Sequence, residues 1–205
     1  MDLFETAPVV AVLRGITPDE AAPVSDALVD AGIKALEVTL DSPDPLLSLR
    51  LLRERHGGDA IIAAGTVLKA EDVAPAAQAG AQWIVAPNFS ASVVAASREA
   101  GLPACPGVAT PSEAFAALDA GADMLKLFPG DLITPPVLKG LRAVLPNGTC
   151  LMVTGGVSEA NIPGFLAAGA NGLGIGSALF APGKPAAQIG ADAARFLAIA
   201  REARE

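Results

Sequence analysis

The decapeptide AGADMLKLFP, residues 120–129, contains the pattern that decides the fold. An alanine-rich segment of helical character ends in Ala120-Gly121, and a short apolar run from Met124 to Pro129 follows at once. A glycine just beyond a helix suits the left-handed conformation that closes a tight connection to a strand. The same order occurs five times along the chain, with the glycine at positions 32, 80, 101, 121 and 169.

The spacing of these glycines predicts eight strand-helix units. Their intervals are 48, 21, 20 and 48 residues, so the 137 residues from Gly32 to Gly169 divide into six units of about 23 if each long interval spans two. The runs AIIAAGTV (60–67) and CLMVTGGV (150–157) supply strands within the two long intervals, and VVAVLRG (9–15) supplies the opening strand. Together with the five runs that follow the glycines, these make eight strands.

The predicted strands are continuously apolar rather than alternating, which is typical of a parallel sheet covered by helices. We therefore predict a compact (β/α)8 TIM barrel, of class α/β, that forms a single domain over residues 1–205. An open doubly wound sheet would place a glycine-rich loop after the first strand. That position instead holds RGITPDE (14–20), in which Thr17, Pro18 and Glu20 match the start of a helix with a capping box.

Composition and charge exclude several classes of function. The 205-residue chain is 52% hydrophobic and 18% charged, which supplies material for a large core and for a subunit interface. Its net charge of −8 disfavours nucleic acid and anionic membrane surfaces as partners. No apolar run reaches the roughly 18 residues of a membrane span, and the first residues lack the basic region of a signal peptide. We expect a soluble, cytoplasmic homo-oligomer.

Histidine and cysteine are scarce in this chain, with one and two copies. His56 is the only histidine, so neither a histidine-based metal site nor a Ser-His-Asp triad can be assembled, and its polar neighbours predict a surface position. Cys105 and Cys150 lie in apolar runs and are expected to be buried free thiols. Any chemistry must then rest on carboxylates, lysine, arginine and the backbone.

Lys126 is the most informative ionisable residue, because it lies within an apolar run. Burial disfavours the charged ammonium group, so the neutral amine becomes available as a nucleophile toward carbonyl groups. Glu37 and Lys126 each lie five residues after the glycine of their unit, on strands of even number. Alternate strands of a barrel share interior layers, so the two side chains should face each other. The alternatives are a lysine that reaches water from a strand end and a buried ion pair without chemistry.

Other polar residues fall at the carboxyl ends of strands, where barrel enzymes place their active sites. Arg14 ends the first strand and suits a carboxylate ligand, although it could also tie two strand ends together. Thr66 ends the third strand and could donate a hydrogen bond to the same ligand. The loops TGGV (154–157) and GIGS (174–177) follow the seventh and eighth strands, where backbone amides can bind phosphate, although glycines serve turns as well. This set of residues suits a phosphorylated keto acid.

Six segments, in this order, also carry a resemblance to a known family. They are LRGIT (13–17), LEVTL (36–40), AGTVL (64–68), CPG (105–107), LKLFP (125–129) and GGV (155–157). Over nearly its whole length the chain resembles the class I aldolases of the 2-keto-3-deoxy-6-phosphogluconate and 2-dehydro-3-deoxy-6-phosphogalactonate group. The resemblance implies reversible cleavage to pyruvate and D-glyceraldehyde 3-phosphate, in a homotrimer, with no metal or organic cofactor.

The resemblance also implies a role for each candidate residue. Lys126 matches the family's Schiff-base lysine, and Glu37 matches its general acid-base. Arg14 and Thr66 would hold the keto-acid end of the substrate. The residues that would hold the phosphate are Gly155, Gly156, Gly176 and Ser177, and those that would shape the wall are Phe128 and Pro87.

The two substrates of this group differ in configuration at C4. The segment LRGITPDEA (13–21) and Asp41 resemble the galactonate enzymes, whereas Thr154 resembles the gluconate enzymes and would place a hydroxyl near C4. We favour the galactonate substrate, with the gluconate epimer as the main or an equal substrate as the alternative. A phosphate-binding barrel isomerase or epimerase would share the glycine loops without forming an imine. A non-catalytic sugar-phosphate sensor would bind without turnover.

Overall fold

The computed structural model describes residues 3–204. Strands and helices alternate along this part of the chain, as the repeat predicts. The strands are β1 (Val9–Val12), β2 (Ala35–Thr39), β3 (Ile61–Gly65), β4 (Trp83–Val85), β5 (Ala104–Cys105), β6 (Gly107–Val108), β7 (Met124–Leu127), β8 (Cys150–Thr154) and β9 (Gly172–Ile175). The helices are α1 (Leu3–Thr6), α2 (Pro18–Asp30), α3 (Pro45–His56), α4 (Val73–Gln78), α5 (Ala91–Glu99), α6 (Pro111–Asp119), α7 (Pro135–Val144), α8 (Ile162–Ala167) and α9 (Ala186–Glu202), with 3-10 turns at Ala70–Asp72 and Gly130–Leu132.

The sheet closes into a barrel because its two edges belong to one interrupted strand. The hydrogen-bonded order is β5-β4-β3-β2-β1-β9-β8-β7-β6, with parallel pairing throughout. β5 pairs with β4, β6 pairs with β7, and only Pro106 separates β5 from β6. Proline lacks the amide hydrogen that a ladder needs, although its carbonyl accepts from the Lys126 amide at 2.9 Å. β5 and β6 are therefore one barrel strand, and the predicted (β/α)8 TIM barrel is confirmed.

The five glycines of the repeat close the connections from helix to strand. Their φ angles lie between 71° and 103°, in the left-handed region that a side chain makes costly. Each glycine amide donates to a carbonyl three residues earlier, in the last turn of the preceding helix. The sequence repeat is thus a repeat of helix C-terminal connections, as the spacing predicts.

Two sets of apolar side chains form the core. One set lies between the strands and the surrounding helices and includes Leu36, Leu125 and Leu151. The other fills the barrel interior near the beginnings of the strands and includes Met124 and Phe4 of α1. The Phe4 ring lies over Gly172 and 5.9 Å from the ring of Trp83, at the beginnings of their strands. Because α1 covers the amino-terminal end of the barrel, the carboxyl end is left for a binding site.

The start of α2 has the predicted capping box. The Thr17 amide donates to the Glu20 carboxylate at 3.0 Å, and Pro18 is the first residue of the helix. The Gly183 amide also donates to Glu20, at 2.7 Å, so this helix start holds the loop that precedes α9. The predicted helix boundary is confirmed, and its capping glutamate has a second, tertiary role.

The prediction that His56 lies at the surface is wrong. The residue is 9% exposed, and its Nε2 lies 3.0 Å from Oδ1 of Asp26, because the last turn of α3 packs against α2. Cys105 and Cys150 are buried free thiols, as predicted. Across residues 3–204 the helices are too short or too polar to span a bilayer.

Candidate active site

A cavity of about 170 Å³ opens at the carboxyl ends of β1, β7, β8 and β9. This is the end of the barrel opposite to α1, where the polar ends of the strands meet. The cavity is lined by Arg14, Lys126, Phe128, Thr154 and parts of the loops 155–157 and 176–178. Residues from strands far apart in the sequence therefore line one cavity.

Lys126 on β7 and Glu37 on β2 face each other across the barrel interior. The Lys126 Nζ donates to Glu37 Oε1 over 3.3 Å, and the two side chains are 6% and 0% exposed. The register explains the meeting, because both residues occupy the third position of their strands. The structure thus brings the two residues together as their equal spacing from Gly121 and Gly32 predicts.

The surroundings of this pair leave one carboxylate oxygen unengaged. Oε1 of Glu37 is bonded to Lys126, whereas its buried Oε2 finds no hydrogen-bond partner among residues 3–204. Gly65 on the neighbouring β3 makes room for the carboxylate, because a β-carbon there would lie 2.5 Å from Glu37 Cγ. The second oxygen can therefore accept a hydrogen bond from a ligand or a water molecule.

The pair of Lys126 and Glu37 supplies the two groups that amine catalysis requires, an amine and a neighbouring carboxylate. Burying two opposite charges is costly unless they stay paired, and a proton transferred from the ammonium to the carboxylate leaves both groups neutral. The Phe128 ring, whose centroid is 5.6 Å from the Lys126 Nζ, adds an aromatic face beside the amine. A lysine so placed can act as a nucleophile toward a carbonyl carbon in the cavity.

Arg14 stands at the rim and is held by two neighbouring strand ends. Its Nη2 donates to Thr66 Oγ1 at 3.0 Å, and its Nη1 contacts the Asp41 carboxylate. Thr66 has a φ of 56°, an uncommon conformation for a β-branched residue, and it places this hydroxyl beside the guanidinium. Arg14 and Thr66 are thus brought together as predicted, and Arg14 also ties strand ends together, which is its alternative predicted role. No local pattern identifies Asp41 as its second partner.

The glycine loops after β8 and β9 form the opposite wall of the cavity. Gly155 and Gly156 have φ angles of 93° and 63°, and with Gly176 and Ser177 they line the cavity. Backbone amides in such loops suit an oxyanion. Asp131 packs against Gly156 from the preceding loop, leaving no space there for a β-carbon. Sequence reasoning missed this contact, since nothing in the local pattern relates residues 131 and 156.

Thr154 ends β8 and turns its hydroxyl into the barrel. The residue is 6% exposed, and its Oγ1 has no hydrogen-bond partner within the described part of the chain. Gly174 on β9 makes room for it, since a β-carbon there would overlap the Thr154 side chain. A buried hydroxyl on the cavity wall is a donor and acceptor for a polar ligand group.

Three predicted residues stand outside the cavity wall. Glu37 and Thr66 do not line the cavity among the described residues. Glu37 contacts Lys126, and Thr66 contacts Arg14, and both of these partners line it.

Phe128 lines the wall as predicted, whereas Pro87 does not. The Pro87 backbone lies against Gly107 instead. The Pro87 prediction is wrong because β4 ends on the side of the barrel away from this cavity.

The two cysteines do not compete with Lys126 as nucleophiles. Burial raises the pKa of the Cys105 thiol well above its usual range, even though the nearby Lys126 opposes the change. Burial also raises the pKa of Cys150. Both thiols therefore stay protonated and unreactive at neutral pH.

Comparisons with known proteins agree with this geometry. A family model described as KDPG and KHG aldolase matches residues 1–189. The 2-dehydro-3-deoxy-6-phosphogalactonate aldolase of Escherichia coli (strain K12) is 42% identical over 196 residues, which cover 96% of each chain. A solved structure described as native KDPGal has a TM-score of 0.93 at 42% identity, over 96% of this chain and 95% of its own.

A designed protein provides a further structural match. It is a cube-shaped, highly porous protein cage made by fusing symmetric oligomeric domains. Its chain has a TM-score of 0.94 to this one at 42% identity, covering 97% of this chain and 73% of the cage chain.

Proposed function

The chain belongs to the KDPG and KHG aldolase family, and from this premise we propose that it is a Schiff-base aldolase, a carbon-carbon lyase. Its substrate is 2-dehydro-3-deoxy-6-phosphogalactonate, which it cleaves reversibly to pyruvate and D-glyceraldehyde 3-phosphate. The observation that carries the proposal is the buried pair of Lys126 and Glu37, 3.3 Å apart beside the cavity. The 42% identity to a phosphogalactonate aldolase supports the choice of substrate.

Lys126 forms the covalent intermediate. Its neutral Nζ adds to the C2 carbonyl of the keto acid to form a carbinolamine. The carbinolamine hydroxyl leaves as water with the proton that Glu37 took from the ammonium, which gives an iminium ion and restores the Glu37 carboxylate. The iminium withdraws electrons from the neighbouring C3–C4 bond, so that the electron pair of this bond can move into the enamine when the bond breaks. The position of Lys126 on the cavity wall supports this role.

Glu37 moves the protons of the reaction. Directly or through a water molecule, its carboxylate takes the proton of the C4 hydroxyl as the C3–C4 bond breaks and D-glyceraldehyde 3-phosphate leaves. Glu37 then returns the proton to C3 of the pyruvate enamine. Water hydrolyses the new iminium, which releases pyruvate and restores Lys126. The unengaged Oε2 of Glu37 supports this role, since Oε1 can stay near the amine nitrogen.

The two ends of the substrate bind at opposite sides of the cavity. Arg14 and Thr66 hold the keto-acid carboxylate at the rim above Lys126. The backbone amides of the glycine loops hold the phosphate, which reconciles an anionic substrate with a protein of net charge −8. The phosphate-binding residues are Gly155, Gly156, Gly176 and Ser177.

Thr154 contacts the substrate near C4, where the two epimers differ. Thr154 lines the cavity together with Lys126 and the glycine loops, and its hydroxyl is buried against Gly174 without a hydrogen-bond partner among the described residues. A hydroxyl there can hydrogen-bond the C4 oxygen of either epimer, so we retain turnover of the gluconate epimer as the second candidate. An isomerase or epimerase could use Glu37 as an acid-base but would not require an imine on Lys126, and a sugar-phosphate sensor would require neither residue for chemistry.

We also propose that the protein is a homo-oligomer, and specifically the homotrimer that the family resemblance implies. Several large apolar side chains remain exposed on the protomer, which suits a subunit interface. The similarity to a cage built from symmetric oligomeric domains supports this proposal. Light scattering at several protein concentrations tests it. The exposed apolar residues are Leu51, Leu68, Phe115, Leu132, Val137 and Val144.

The experiment that tests the function is pyruvate release from each C4 epimer by one preparation of enzyme. We expect kcat/KM to be at least about tenfold higher for the galactonate form, which is about 1.4 kcal/mol of differential transition-state binding. A preference for the gluconate form would make Thr154 the dominant determinant. Cleavage of neither epimer would refute the aldolase proposal.

A further inference from the structure

Asp41 contacts Arg14 at the rim but does not itself line the cavity. Arg14 follows β1, Asp41 follows β2 and Thr66 follows β3, so one guanidinium joins three successive strand ends. Within the described residues, Asp41 touches the candidate site only through this arginine. Asp41 can therefore act on the site by direct contact through Arg14.

This ion pair contributes little to folding. The Arg14 and Asp41 side chains are 56% and 49% exposed, and exposed pairs typically contribute about 0–1 kcal/mol. A free arginine side chain, in contrast, samples many rotamers, and fixing it costs entropy when a ligand binds. Asp41 accepts from Nη1 of Arg14, and Thr66 accepts from Nη2. Together they restrain both terminal nitrogens of the guanidinium before a ligand binds.

The loop that carries Asp41 is itself anchored to the loop that carries Arg14. Ser42 is 6% exposed, and its Oγ accepts a hydrogen bond from the Gly15 amide at 2.9 Å. The same Oγ lies 3.1 Å from the hydroxyl of Thr39, at the end of β2. Asp41 therefore holds the guanidinium from a fixed point, as pre-organisation requires.

We propose that Asp41 is a positioning residue that orients Arg14 toward the carboxylate of the keto acid. The inference rests on the proposed function, since it assumes that Arg14 binds this carboxylate. Loss of Asp41 leaves the Lys126–Glu37 hydrogen bond in place, because within residues 3–204 Asp41 is bonded to Arg14 and to neither member of that pair. The structure therefore predicts weaker binding of the keto acid with an unchanged chemical step.

The test measures how much pyruvate is needed to trap the enzyme with borohydride. In Asp41→Ala, we expect the half-saturating pyruvate concentration to rise about three- to tenfold, with the same maximal yield of adduct. Asp41→Asn, which keeps an oxygen acceptor for Arg14, should show a smaller rise. Asp26→Asn is the matched control, because it removes the partner of another exposed arginine, Arg55, on the outer helices.

A double-mutant cycle separates positioning from a general effect of charge. With Arg14→Met present, Asp41→Ala should cause no additional change, because its direct contact with the site is gone. Tighter pyruvate binding by Asp41→Ala, an unchanged concentration dependence, or an equal effect in the Arg14→Met background would overturn the inference. If the wild-type protein forms no adduct at all, the failure is that of the proposed function.

Discussion

The Lys126 Nζ lies 3.3 Å from Oε1 of Glu37, inside a barrel that otherwise buries almost only apolar side chains. The two residues are 89 positions apart in sequence and come from strands on opposite sides of the barrel. A pair of this kind is a weak source of stability, because desolvation offsets most of the attraction between the charges. The position of the pair beside the cavity suits it to catalysis instead.

Replacing Glu37 with glutamine separates proton transfer from imine formation. The glutamine amide keeps the shape of the glutamate side chain and an acceptor oxygen near Lys126. It cannot take up and release the protons of the reaction. We expect kcat for cleavage to fall by about a hundred- to ten-thousandfold, while pyruvate can still be trapped on the enzyme. Steady-state kinetics and mass spectrometry of the trapped protein measure the two effects. Cleavage at the wild-type rate would contradict the role of Glu37.

Adding a methyl group at Gly156 should impair the phosphate site selectively. The residue has a φ of 63°, which is costly for alanine, and its β-carbon would overlap the Asp131 carboxylate, so the Asp131 side chain or the loop has to move. For Gly156→Ala we expect KM for the phosphorylated substrate to rise about three- to tenfold, with unchanged trapping of pyruvate.

Gly140→Ala is the matched control for this substitution. Gly140 lies within α7, and a β-carbon there would meet open space. Alanine in a helix should stabilise the fold by about 0.5–1 kcal/mol without changing KM. Equal effects of the two substitutions on KM would count against a phosphate site at Gly156.

The stability contributed by Asp192 should depend on pH. Hydrogen bonds from Lys184 and then Arg195 lower the pKa of Asp192, against the opposing effect of burial. The pKa of Asp192 is therefore lower in the folded state than in the unfolded state. The ionised Asp192 carboxylate stabilises the fold at pH values above the unfolded pKa, and this contribution is lost as the pH falls through the folded pKa.

For Asp192→Asn we therefore expect a Tm lower than wild type by about 2 to 4 °C at pH 7. The difference should shrink as the pH falls below about 4. Thermal unfolding followed by circular dichroism at pH 7, 5 and 3 measures it. A difference that is the same at all three values would show that the charge of Asp192 is not the cause.

Local sequence was sufficient to predict the fold and the central pair. A helix that ends in glycine needs that residue for its backbone conformation, so the repeat survives in the sequence and marks each unit. Equal distances from two such glycines place Lys126 and Glu37 at equal heights. The alternation of interior layers in a barrel then makes them face each other.

Features that depend on contacts between distant loops could not be predicted in this way. The partnership of Arg14 and Asp41 depends on the paths of two loops, and the burial of His56 depends on how α3 packs on α2. The packing of Asp131 on Gly156 likewise joins the loops after β7 and β8. None of these relationships has a periodicity that a sequence could display.

The central claim is that Lys126 forms a Schiff base with the keto acid, and the most direct measurement is borohydride trapping with pyruvate followed by peptide mass spectrometry. We predict one reduced adduct, located on Lys126, that is absent from Lys126→Ala and retained in Lys139→Ala, which removes an exposed lysine on α7. An adduct on another lysine, or no adduct at saturating pyruvate, would contradict the account.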